Sequence, residues 1–258
     1  DIEFYTSNEG ANIISSDSTN GQFSQCIEYG GSPDFSDEGY SSNRSIFIEF
    51  IGESGNQSVL TLHATNHLFC EELIMTANGT ILVVGTFSGT SEFLNHTSQN
   101  TAGFVISIDS NSFENRSYIF DTEGDDRFYG LTASSEGEYV VAGSSDGNIS
   151  NFTTTNDAKC GVNSTSCGII VFLDNHLEYD YLQFIESTHE VTCFDVEQKG
   201  FSDSFLVTGY FSGTMAFNDS QIIPPSNQGT SDLFVSLIDK AKQWDTVNTV
   251  GGSGSFRP

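Results

Sequence analysis

Leu82-Val83-Val84-Gly85-Thr86-Phe87-Ser88-Gly89-Thr90-Ser91-Glu92-Phe93 joins a short apolar run, a glycine turn and a returning aromatic, and the chain repeats it. Phe205 to Phe217 reads FLVTGYFSGTMAF, almost letter for letter, while Tyr139 to Phe152 (YVVAGSSDGNISNF) and Gln25 to Phe35 (QCIEYGGSPDF) are looser copies. Aligned on Tyr29, Phe87, Ser145 and Phe211, the copies stand 58, 58 and 66 residues apart. A period of about 60 residues with strand-like content predicts stacked or radial β units rather than one globular core.

Alternation, β-branched and aromatic residues, and Gly/Asn/Asp/Ser punctuation divide each period into four strands. The units so drawn are residues 1–57, 58–115, 116–178 and 179–243, within a single domain spanning 1–258. Unit one opens with a strand from Ile2 to Thr6, and unit two with one from Ser58 to Ala64. Third strands (ILVVG, YVVAG, FLVTG) are apolar throughout, as strands covered on both faces are. Fourth strands (SIFIEFI, GFVISID, GIIVFLD, LFVSLID) superpose, and three end in the same residue, Asp109, Asp174 and Asp239. Gly85, Gly143 and Gly209, followed by Gly89, Gly147 and Gly213, are expected to supply positive φ for the turn. The returning Phe93, Phe152 and Phe217 are expected to plug the gap between adjacent sheets. Sheets packed face to face bury such middle strands, so the fold class is all-β, a β-propeller-like array of four antiparallel four-stranded units.

Trp244 to Val250 then repeats the first strand of a unit, which makes residues 244–258 a surplus C-terminal strand. Three outcomes are open. Trp244, Val247 and Val250 can dock on a neighbouring copy by strand addition, the chain can continue into further blades, or the tail is disordered. Strand donation from head to tail propagates into filaments unless the rotation closes.

Charge narrows the partners. With 35 acidic against 8 basic residues and a net charge of −27, the chain repels nucleic acid and anionic membrane surfaces. Its longest uninterrupted apolar run, Ile169 to Leu173, is far short of the roughly 20 residues that cross a bilayer. The start at Asp1, without methionine, is expected to follow removal of a targeting segment. Nine Asn-x-Ser/Thr sequons, at Asn43, Asn56, Asn78, Asn95, Asn115, Asn148, Asn151, Asn163 and Asn218, fall mostly at turns or loop edges, where an N-linked glycan can stand in water. Five cysteines suit an oxidising compartment. Cys160 and Cys167 bracket a short loop between two strands and are expected to form a disulfide; Cys26, Cys70 and Cys193 leave at least one thiol free or bonded elsewhere.

Motifs that could carry chemistry are sparse. Gly143-Ser144-Ser145-Asp146-Gly147 matches the G-x-S-x-G pattern of a hydrolase elbow, which needs a strand-turn-helix and a partnered histidine. Its place in a hairpin points away from that role. His63 and His67 have the only suggestive histidine spacing, yet they lie at a strand end. Asp121-Thr-Glu-Gly-Asp-Asp126 could gather carboxylates around calcium but lacks the ordered D-x-D-x-D-G loop. No catalytic residue, metal ligand or cofactor is assigned, calcium being the one candidate ion, and the chain is expected not to be an enzyme.

The string Trp244-Asp-Thr-Val-Asn-Thr-Val250-Gly-Gly-Ser-Gly-Ser255, with Gly209-Tyr-Phe-Ser-Gly213 and Ser231-Asp-Leu-Phe-Val-Ser-Leu-Ile-Asp239, resembles the secreted seven-bladed β-propeller (SBBP) repeat. The chain departs from that pattern in having four units and one Trp. The resemblance implies exposure and scaffolding rather than a reaction. The resulting expectation is an extracellular or cell-surface N-glycosylated structural or interaction protein, a subunit of a surface assembly or filament joined to its own copies by terminal strand addition. The alternative is a carbohydrate- or protein-binding adhesin or lectin-like module.

Overall fold

The computed structural model describes residues 11–29, 44–52, 55, 57–110, 112–149, 166–200, 204–217, 221–224 and 231–251, and every regular element among them is a strand. Four antiparallel sheets form, each built on a four-strand meander of the propeller-blade kind. The first sheet runs β1 (Ala11–Thr19), β2 (Gln22–Tyr29), β3 (Arg44–Ile51), β4 (Gln57–Ala64), and the second β5 (His67–Met75), β6 (Thr80–Ser91), β7 (His96–Asp109), β8 (Asn115–Phe120). The third runs β9 (Asp126–Ala133), β10 (Tyr139–Ser145), β11 (Cys167–Leu173), β12 (Tyr179–Ser187); the fourth runs β13 (Glu190–Gln198), β14 (Phe205–Ser212), β17 (Ser231–Ile238), β18 (Trp244–Val250). A ribbon from the β14–β17 connection, β15 (Met215–Phe217) and β16 (Gln221–Ile223), leaves the fourth sheet and extends the third by pairing with β12.

Sheet membership is offset by one strand from the sequence repeat. β4 pairs with β3, which ends five residues before it, whereas β4 and β5 are separated by two residues yet belong to different sheets. Each sheet thus borrows its last strand from the start of the next repeat. The shared aspartates explain how. Asp109 Oδ1 accepts from the Ser112 N–H, Asp174 Oδ1 from those of His176 and Glu178, and Asp239 Oδ1 from that of Gln243. These Asx turns close the last hairpin of sheets two, three and four.

The strand at Trp244 to Val250 is therefore not surplus. β18 pairs with β17 from Ile238↔Trp244 to Leu233↔Val250, so its main chain completes its own sheet rather than waiting for another. Trp244 and Val247 pack on the core of their own unit, Trp244 edge-on to Phe217 at 4.9 Å between ring centroids, while Val250 is 62% exposed. The expected opening strand at Ile2 to Thr6 lies outside the described residues.

The glycine reading also needs correction. Gly85, Gly143 and Gly209 lie inside strands, and positive φ belongs to Gly89 and Gly213, both at 81°. The in-strand glycines sit beside a β-bulge that recurs in β5, β9 and β13 at Glu71, Tyr129 and Phe194. There the partner strand pushes a carbonyl, of Phe69, Arg127 or Thr192, into the space a Cβ would take. The rings of Phe104, Phe128 and Phe234 cover the bare backbone.

Contacts divide the chain into two compact units, residues 1–119 and 120–258. In the first, Cys26, Ile46, Ile48, Phe50 and Leu62 of the first sheet pack against Leu73, Ile81, Val83, Phe104 and Ile106 of the second. Two further links bind these sheets: a Cys26–Cys70 disulfide, and the Ser15 hydroxyl, which donates to Leu73 O and accepts from Leu73 N–H. In the second unit, Val140, Ala142, Ile170 and Phe172 pack against Phe205, Val207, Phe211 and Phe234. Phe217 is buried there as the sequence requires, and Phe93 is half-buried on the first unit's core; Phe152 lies outside the described residues. β6 and β10 are buried almost throughout, but β14 alternates, with Leu206 40% exposed.

Lys242, at the β17–β18 turn, holds the fourth sheet to the third. Its ammonium donates to Glu138 Oε1 at 2.6 Å and to Asp180, and stands 4.7 Å from the centre of the Phe172 ring. Lys242→Met removes both charge-assisted bonds and leaves two carboxylates facing each other. It is expected to cost about 1–2 kcal/mol in denaturant unfolding. An unchanged midpoint counts against the clamp.

Candidate functional site

The F-S-G-T motif is a latch. In the second sheet the Thr65 N–H donates to Thr90 O at 3.0 Å and the Thr90 N–H donates to Thr65 Oγ1 at 2.9 Å, tying the end of β6 to the turn that enters β5. Thr188 and Thr214 repeat this in the fourth sheet, both bonds at 2.9 Å. Gly89 and Gly213 sit where a Cβ would strike Thr65 Oγ1 or Thr188 Oγ1 and His189, which is why the motif needs glycine twice over.

The third sheet builds the same latch from acids. Asp126 faces Ser145 across the β9–β10 ladder, at the place where the sister sheets put Leu68 opposite Phe87 and Val191 opposite Phe211. Those sister pairs are apolar and buried, and Asp126 and Ser145 put a carboxyl and a hydroxyl into equally buried positions. Its carboxyl accepts from the Thr122 N–H at 2.5 Å, from the Thr122 hydroxyl at 3.1 Å and from the Ser145 hydroxyl. Beside it the Asp125 N–H donates to Asp146 Oδ1, the Asp146 N–H donates to Asp125 O at 3.1 Å, and the Gly147 N–H donates to Ser145 Oγ at 3.3 Å. Gly124 and Gly147 approach each other so closely that neither has room for a side chain. Burial raises the Asp126 carboxyl from 3.8 to about 7; the Ser145 and Thr122 hydrogen bonds pull it back, and the charge of Asp121 adds to the rise.

The two motifs that looked separate in sequence, Asp121 to Asp126 and Gly143 to Gly147, are thus one site. The shared signal was the repeat itself, because aligning Phe87, Ser145 and Phe211 points to their cross-strand partners. The geometry suits neither chemistry first attached to them. Ser145 is the buried last residue of a paired strand and not the tip of a strand-to-helix turn. Asp126 is committed to three donors, and among the described residues no group of three or more His, Cys, Asp or Glu side chains is placed to hold a metal ion. His63, exposed, shares a 2.6 Å hydrogen bond with Ser45 Oγ instead of meeting His67.

Asn78, Asn95, Asn115 and Asn148 are exposed, the first two at turns, Asn115 at the first residue of β8 and Asn148 three residues beyond β10. Asn43, Asn56, Asn151, Asn163 and Asn218 lie outside the described residues, as does Cys160. Cys167 is disulfide-bonded. Cys193 is a buried free thiol whose ionisation burial pushes far up.

No protein-family model matches the chain, and no curated protein matches it. The SBBP likeness thus rests on motif residues alone. Solved structures similar to the chain include the hemagglutinin-neuraminidase ectodomain of parainfluenza virus 5, at 10% identity and TM-score 0.44 over 93% of this chain, and a levansucrase mutant from B. subtilis, at 8% and 0.41 over 97%. The chain spans 55% of the viral chain and 86% of the levansucrase. Both neighbours are named for enzymes, which overturns the expectation that this chain is not one. At these TM-scores the likeness assigns it no reaction.

Proposed function

We propose that the chain is an extracellular, N-glycosylated interaction module of propeller type that takes part in a larger surface assembly. The observation that carries this reading is the exposure of Asn78, Asn95, Asn115 and Asn148, positions where a glycan can stand in water without entering the core. The Cys26–Cys70 bridge supports the same compartment, since such bonds persist where the medium is oxidising.

Because β18 is already paired, self-association would use uncovered sheet faces rather than a donated strand. Val59 on the first sheet is 54% exposed and Leu206 on the fourth 40% exposed, whereas β10 and β11 of the third are buried at every position. Protein secreted from eukaryotic cells is expected to lose mass in steps under peptide-N-glycosidase. It is also expected to sediment as more than a 28.0 kDa monomer once salt screens the net charge of −27. Unmodified asparagines at all four exposed sequons overturn the extracellular reading, and a monomer at every salt concentration overturns the assembly.

A further inference from the structure

The acid latch of the third sheet differs from its two sisters in what holds it. Thr65 with Thr90 uses neutral donors and acceptors, which do not change with pH, and Thr188 with Thr214 does the same, although Thr188 Oγ1 also shares a hydrogen bond with His189 Nδ1. The third uses a buried carboxyl, and the titratable groups around it are nearly all of one sign. Asp121, Glu123 and Asp125 lie on the loop entering β9, Asp146 lies just beyond β10, and among the described residues Arg127, next in sequence, is an exposed cation. Ionising Asp126 therefore places a negative charge in a desolvated position among carboxylates, against which three hydrogen bonds give only partial relief. Neutral, the same carboxyl keeps Thr122 as a donor to its carbonyl oxygen and can give its own proton to Ser145 Oγ, a hydroxyl being both donor and acceptor.

We propose that this latch is a pH-responsive clamp on the start of the β10–β11 connection, closed while the Asp126 carboxyl is protonated and opening as it ionises. The described residues it holds are Asp146 to Ile149, which include the exposed sequon asparagine Asn148. Opening exposes the carboxyl to water, where it returns to the ordinary range near 3.8 from about 7 in the closed latch. The open fraction then rises by up to tenfold per pH unit between those limits and levels off above 7. Mild acid tightens the latch.

Amide hydrogen exchange, corrected for the intrinsic pH dependence of the rate, reads this directly at Asp125 and Asp146, whose N–H groups cross the latch. From pH 5 to pH 7 their protection is expected to fall about fiftyfold and then by no more than about twofold to pH 8, while Thr65 and Thr90 stay constant. Asp126→Asn, which cannot ionise, is expected to abolish the pH dependence. The carboxyl carbon-13 shift of Asp126 in the unaltered protein gives its midpoint even if that variant folds poorly, and Ser145→Ala, which removes a donor to the ionised form, is expected to move the midpoint upward. Constant protection at Asp125 and Asp146 from pH 5 to 7, or an Asp126 midpoint below 5, overturns the proposal. None of these readings depends on glycosylation or assembly, so they stand or fall apart from the proposed function.

Discussion

Replacing Cys26 and Cys70 together with serine is expected to lower the stability of the chain by about 4 kcal/mol. The residues lie on β2 and β5, in different sheets of the first unit and 44 residues apart in sequence. Cross-linking a loop of that length removes about 4 kcal/mol of chain entropy from the unfolded state. The pair is also buried, Cys26 wholly and Cys70 to 2% exposure, so two serine hydroxyls would enter an apolar cluster and need partners. For a chain of this size the loss corresponds to a melting midpoint lower by roughly 8–16 °C. Calorimetry of the double variant beside the unaltered protein, both without reductant, checks the figure. A shift of less than 1 kcal/mol would show that the packing of Ile46, Ile48 and Phe104 already fixes the two sheets without the bond.

The repeat was legible, and so was the all-β class, because the apolar runs, their glycines and their returning aromatics recur at a spacing only a strand meander uses. The phase of the sheets was not. A periodic chain can be cut anywhere in its period, and residues 65–66 or 188–189, being only two, look like the tight turn of a hairpin rather than a step between sheets. Only hydrogen bonding decides, and the Thr65–Thr90 and Thr188–Thr214 latches show what makes so short a step possible. The fate of β18 follows from that phase: a strand counted as the first of a fifth unit is the last of a fourth sheet. The Asp126 site was half-legible. Both its acidic loop and its serine turn stood out, but each suggested a ligand or a nucleophile, because composition does not reveal that a carboxyl faces a hydroxyl across a ladder and is sealed from water. The pairing of Cys26 with Cys70 had no local signal, since it depends on how two sheets stack.

Gly209→Ala is expected to destabilise by at least 3 kcal/mol, more than a single added methyl group costs on most strands. Its Cβ would meet two things at once, the Thr192 carbonyl that the bulge at Phe194 turns toward it and the ring of Phe234. The ring can swing; the carbonyl belongs to a strand paired from Glu190 to Gln198 and cannot move without disturbing that ladder. Overpacking of this kind costs about 1–3 kcal/mol when side chains alone must yield, and backbone displacement adds to it. Gly200→Ala separates steric from conformational cost, because a Cβ there meets nothing within 4 Å although φ is +60°. That variant should lose only about 1 kcal/mol, the ordinary charge for a side chain in left-handed backbone. Combining Gly209→Ala with Phe234→Leu distinguishes the two obstacles: the shorter side chain relieves the ring contact and leaves the carbonyl. If the double variant regained the stability of Phe234→Leu alone, the ring would be the whole obstacle, and the bulge would not be the reason this position, with Gly85 and Gly143 at the same place in their sheets, is glycine.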